Sequence, residues 1–158
     1  MKTNELFIQA LEFSFQAHGW HGADLCQTLD EIPPTLADIG ETRDGFTARQ
    51  VLLHCAYWKY IPRKLLLSEQ GIEFPLDFED WPPPGFPYTW IEAREILVEQ
   101  HRLLLGAVRD FPDENWDQTV PLKDFTFARL ILGAAAHDAY HTGQIRSMYL
   151  NRPDLFGV

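Results

Sequence analysis

One stripe in the last third of the chain limits the fold more than any other feature. Leu130, Ala134, His137, His141, Ile145 and Met148 recur at helical spacing. At about 100° per residue they fall on one face of a single helix. An apolar face of this kind has to be covered by other helices, and the two imidazoles at its centre have to be satisfied there. A second stripe, Val51, His54, Trp58, Ile61 and Leu65, also has a histidine at its centre. Strand-type alternation is weak throughout the chain, so the pattern predicts an all-α protein. Residues 1–158 have the length of one domain, enough to bury a full core.

Four helices follow from the punctuation. The first covers about residues 4–17, breaks at His18-Gly19-Trp20-His21-Gly22 and resumes over about 23–31, where Pro33-Pro34 ends it. The second runs from Thr47 to about Leu67. Thr47 and Gln50 have capping-box spacing, and Phe46 and Val51 stand where a hydrophobic staple forms. Pro62 removes a backbone hydrogen bond from this helix and predicts a bend near Trp58. The third starts at Thr89, with Glu92 as its box partner, and ends near Asp110. The fourth covers about Asp124 to Leu150. Between the second and third, residues 71–88 form a connection long enough to cross a bundle or shape a site.

Composition narrows the partners. The net charge is −10, and no basic run exceeds the Arg63-Lys64 pair, which argues against nucleic acid and anionic membranes. No apolar run approaches the ~20 residues of a transmembrane helix, and the N-terminus lacks a signal-peptide core. Two cysteines, Cys26 and Cys55, make no disulfide framework and fit a reducing cytoplasm.

His54, His137 and His141 are each central to an apolar stripe, and the last two are spaced i, i+4 so that both imidazoles reach a shared ion. One divalent cation would satisfy a nitrogen from each, and three nitrogen ligands leave coordination positions open, as in catalytic sites. The alternative is three core histidines bonded to carbonyls or amides. His101 competes for the role, because its own stripe (Trp90, Ala93, Leu97, Leu104, Val108) also points it inward. His18 and His21 flank the glycine-bracketed break, where a polar group can line a pocket mouth.

The run His137-Asp138-Ala139-Tyr140-His141-Thr142-Gly143-Gln144-Ile145, preceded about eighty residues earlier by Leu52-Leu53-His54-Cys55-Ala56-Tyr57-Trp58, resembles the DinB-like superfamily. That superfamily includes the YfiT-type proteins and bacterial low-molecular-weight thiol transferases. The likeness follows the helix order of the whole chain. It implies a four-helix bundle of DinB/YfiT type with one long crossover loop, and a metal site on His54, His137 and His141. Trp20-His21-Gly22 also looks like a segment found in some members. The resemblance further implies a possible homodimer and a small-molecule substrate.

Neighbouring residues have readable roles. Gln144 lies one turn from His141 and is placed to orient a ligand or substrate. Asp138 is placed either to accept an imidazole N–H behind the metal or to form an ion pair on the helix surface. Trp58, Tyr57 and the Trp81–Tyr88 loop are candidate pocket walls or core, and Cys55 lies off the site axis as a small buried hydrophobe. Zinc, nickel, iron and manganese all accept imidazole. The expected activity is transfer or activation of a low-molecular-weight thiol. The alternatives are a hydrolase using the same site and a non-catalytic bundle whose metal is structural or helps to bind a ligand.

Overall fold

The computed structural model describes residues 2–149, apart from 18, 21, 40, 41, 43, 69 and 70. Its helices are α1 (Thr3–Phe15), α2 (Leu25–Asp30), α3 (Ala48–Leu67), α4 (Trp90–Asp110) and α5 (Phe127–Tyr149). Short 3-10 turns at Pro34–Leu36 and Asp113–Asn115 bridge the connections. No helix among the described residues is long and apolar enough to cross a membrane.

Local chemistry sets the helix starts. Thr47 accepts from the Gln50 backbone N–H, and the Gln50 side chain accepts from the Thr47 N–H at 3.1 Å. Thr89 and Glu92 repeat this box at the start of α4, with the return bond at 2.8 Å. Each box satisfies backbone donors that the first turn leaves free. Phe46 packs against the buried cluster that contains Val51. α3 stays helical through the buried Pro62. α5 begins three residues later than the sequence suggests, because a lone bridge between Thr119 and Thr126 holds the preceding turn. Its expected end at Leu150 lies outside the described residues.

Around the bundle, α3 packs on α4 and α5, and α1 packs on α5 and α4. One buried cluster joins the C-terminal end of α1, the starts of α3 and α4 and the C-terminal end of α5, through Phe15, Val51, Trp90 and Tyr149. A second joins the opposite ends, through Phe7, Leu66, Val108 and Phe127. α3 and α4 therefore run parallel, with α1 and α5 antiparallel to both, and the 71–88 connection is the crossover that this order requires.

Polar residues lie between the two clusters on every long helix. Ser14 on α1, Lys59 on α3, Gln100 and His101 on α4 and Asp138 on α5 are all buried. They form a polar layer across the middle of the bundle. Within it, Nζ of Lys59 lies 2.5 Å from Oδ2 of Asp138 and 4.6 Å above the Phe15 ring.

Candidate metal centre

α3 and α5 bring three imidazoles together. Nε2 of His137 lies 3.1 Å from Nε2 of His54 and 3.1 Å from Nε2 of His141. His54 and His141 are 5% and 3% exposed, and His137 is partly open. One helical turn separates the α5 pair, and one central position on α3 supplies the third.

The far nitrogens fix the tautomers. Nδ1 of His54 lies 3.0 Å from the Asp80 carbonyl oxygen, which can only accept, so that nitrogen carries the proton. Nδ1 of His141 donates to Oε1 of Gln144 at 2.9 Å. Both rings therefore point Nε2 lone pairs inward. His137 has at most one proton on Nε2 to offer two acceptors, so the cluster has an excess of lone pairs. Nitrogens about 2.1 Å from one ion at angles of about 90–109° lie about 3.0–3.4 Å apart. Both spacings from His137 fall in that range, all three donor atoms lie within 4.8 Å of one another, and the donor set fits one divalent transition-metal ion.

Electrostatics agree with the geometry. Burial lowers His54 from 6.5 to about 4, against the opposing pull of Asp80. Burial lowers His137 to about 3, helped by His141, His54 and Lys59. Burial also lowers His141, against its bond to Gln144. All three rings are neutral at pH 7, the form that binds a metal.

The crossover loop completes the site. Trp81 stacks flat on His54, with centroids 3.7 Å apart and an interplanar angle of 9°. Phe46 stacks on Trp81 at 3.7 Å, which makes a three-ring pile. Asp80 has φ 60°, a left-handed conformation that Asp tolerates better than most residues. Its carboxylate accepts from Nε1 of Trp58 at 2.6 Å and lies 3.1 Å from Nδ1 of His54. Sequence spacing gave no reason to single out Asp80. The only signal was the length of the loop that carries it.

The other candidates fall in different places. Trp58 stands at the pocket edge, 37% exposed and tilted toward His54 and His137. Gln144 orients His141. Asp138 forms an ion pair, one of the two roles read for it, but with Lys59 in the interior and not on the helix surface: its carboxylate is 2% exposed. The reason is that α5 is covered by α1 as well as α3, so its flank beside the histidine face is interior. His101 is buried in the polar layer, stacked on Phe15 at 3.7 Å, and belongs to no ligating group among the described residues. Cys55 is fully buried, and burial pushes its thiol well above 9.0. With His137 and Asp138 it forms a second close group of ligand-type atoms, in which the carboxylate is already engaged by Lys59. His18 and His21 lie outside the described residues.

A pocket of about 520 Å³ opens beside the triad, walled by His54, His137, Trp58, Pro62, Phe125 and Leu130 among others. No curated protein and no solved structure matches the chain. Residues 17–145 match the DinB superfamily. A helical bundle with this match over most of its length and a buried triad suited to a metal ion belongs to the DinB superfamily.

Proposed function

We propose that the chain is a metal-dependent enzyme that activates a low-molecular-weight thiol and transfers it to an electrophile. The observation that carries this reading is the pocket, which reaches His54 and His137 on the open side of the triad. A site built only to hold the fold together would be closed. The chain's own nucleophile candidates do not compete, because Cys55 is sealed in the core with its thiol protonated.

A divalent cation on His54, His137 and His141 would act as a Lewis acid, lowering the pKa of a thiol at an open position. Asp80 and Gln144 hold the rings of His54 and His141 in the tautomers that present Nε2. Trp81 and Trp58 shield the site from water on the loop side. In the reaction the thiol proton passes to solvent, sulfur forms a bond to the electrophilic carbon, and the leaving group departs with its electron pair.

Cobalt-substituted protein tests this reading. The right thiol should give a sulfur-to-metal charge-transfer band and conjugate to a halo-dinitrobenzene faster than metal-free protein allows. His141→Ala should lose both, and Cys55→Ser should keep both. A broad thiol panel that yields neither band nor turnover sinks the transferase reading and leaves hydrolysis or a non-catalytic metal as the alternatives.

A further inference from the structure

The pocket beside the triad is apolar along one wall and carries a single cationic side chain, Arg129, at its far end. Its one carboxylate, Asp80, is already engaged by Trp58 and His54. Arg129 has no carboxylate within ion-pair distance among the described residues, in a chain whose net charge is −10. Arg49, Arg94, Arg102 and Arg146 are each paired with an acid. Arg63 and Arg109 share the lack of an ion pair among the described residues, but of these three exposed or half-exposed arginines it is Arg129, itself exposed, that lines this pocket.

Helix geometry puts Arg129, Gly133 and His137 one turn apart in sequence along α5, so Arg129 stands about 12 Å along the axis from His137. Gly133 lies between them and lines the pocket, and a Cβ added there would meet nothing within 4 Å. A glycine inside a helix destabilises it relative to alanine. Here it leaves the floor between the cation and the histidines clear.

We infer that the pocket takes an amphipathic anion, with its apolar body against Phe125, Leu130 and Pro62 and its carboxylate held by Arg129 two turns from His137. This rests on the proposed role of the pocket as the substrate cavity. Arg129 sets which substrates are accepted, while the chemistry stays at the histidines. An arginine suits the task because its planar fork pairs with a carboxylate through two parallel hydrogen bonds.

The test uses zinc-loaded protein and a chain-length series of ω-phenylalkanoates, each compared with its neutral amide by isothermal titration. For the best-fitting length the acid should bind roughly 10- to 100-fold more tightly than the amide, the effect of a charge-assisted hydrogen-bonded pair. Arg129→Gln should bring that ratio close to unity with zinc content unchanged, and Arg129→Lys should keep part of it. Gly133→Leu should weaken acid and amide alike while retaining zinc. The inference fails if no member of the series binds, or if the acid preference survives Arg129→Gln. It also fails if the preference disappears only when zinc is removed, since the carboxylate would then sit on the metal. Arg129-dependent binding without turnover of any thiol would keep this inference and sink the transferase reading. Thiol transfer with no Arg129-dependent preference would do the reverse.

Discussion

Lys59 and Asp138 form an ion pair in the middle of the bundle, Nζ to Oδ2 2.5 Å, with side chains only 1% and 2% exposed. Asp138 directly follows His137, and Lys59 lies beyond Cys55 on the helix that carries His54. The pair therefore ties α3 to α5 just behind the triad. Burial pushes the Asp138 carboxyl upward, and the Lys59 ammonium and its hydrogen bond pull it back.

Breaking such a pair on one side strands a buried charge. Lys59→Met should cost about 3–5 kcal/mol, and Asp138→Leu should cost a similar amount. Replacing both with apolar residues of similar volume should recover most of the loss, since the desolvation penalty disappears with the charges. Urea unfolding of the two single variants and the Lys59→Met/Asp138→Leu double variant measures this. A double variant as unstable as the sum of the singles would show that the pair does not act as a unit. Zinc content should survive in the double variant, because neither residue bonds a triad nitrogen.

Much of this arrangement was legible in the sequence, and the rest was hidden for physical reasons. Helix starts were readable because Thr47 and Thr89 carry their box partners three residues on, a purely local signal. The inward placement of His54, His137 and His141 was readable from the apolar stripes, but so was that of His101, and choosing the three as a set rested on the resemblance to the DinB-like motif. The burial of the Asp138 ion pair and its partner Lys59 were not readable, because a wheel shows one buried face and cannot show that a second neighbour covers the flank. Asp80, and the stacking of Trp81 on His54 within a loop read only as a candidate pocket wall or core, were beyond reach as well: these roles come from the path of an irregular loop, which has no periodicity to read. His101 pointed inward as its stripe implied, but it lies in a different layer from the metal candidates.

That placement makes a prediction for His101. Both of its ring nitrogens are buried without a hydrogen-bond partner in the described structure, and its nearest carboxylate oxygen, from Glu12, is 3.9 Å away. An unpartnered buried polar group costs about 1–3 kcal/mol. His101→Leu should therefore leave stability unchanged or raise it by up to about 2 kcal/mol, and should keep one metal per chain. His54→Ala, His137→Ala and His141→Ala should each lose stoichiometric metal. Metal analysis after gel filtration decides between the two. Loss of metal in His101→Leu with retention in His54→Ala would overturn the ligand assignment.

The groups behind the ligands should matter less than the ligands themselves. Gln144→Leu removes the acceptor from Nδ1 of His141, and Asp80→Ala removes the carboxylate that links Trp58 to the His54 edge. Supports of this kind typically contribute 10- to 100-fold in metal affinity. Gln144→Leu should fall in that range, roughly 10-fold or more, with full stoichiometry at saturating metal. Asp80→Ala should lose less, because the backbone carbonyl of residue 80 still accepts from His54. Competition with a chelator of known affinity reads both values. Equal losses in the two variants would show that the Asp80 carboxylate, and not its carbonyl, positions the ring.

Acid should destabilise the metal-free bundle in a defined window. Folding holds His54 at about 4, His137 at about 3 and His101 at about 2, and lowers His141 as well, with burial the leading cause in each case. In the unfolded chain all four titrate near 6.5, so below that pH the unfolded state binds protons that the folded state refuses. The stability these neutral rings retain is complete above about pH 6.5 and is lost as pH falls below it, by at most about 1.4 kcal/mol per pH unit for each histidine. Glu92 and Glu99, whose carboxyls are lowered by Thr89 and Arg102, release their share only near and below their ordinary value of 4.5. The interval between about pH 6.5 and 5 therefore reports these four histidines, offset by whatever proton the raised, buried Asp138 carboxyl takes up in the folded protein. Denaturant midpoints of metal-free protein should fall steeply across it, and His101→Leu should make the slope shallower by about one proton. Burial also delays competition between protons and metal: in folded protein, metal affinity should begin to fall below pH 6.5 and not at it. A metal-free protein equally stable at pH 6.5 and pH 5 would mean that these imidazoles are not held neutral in the core.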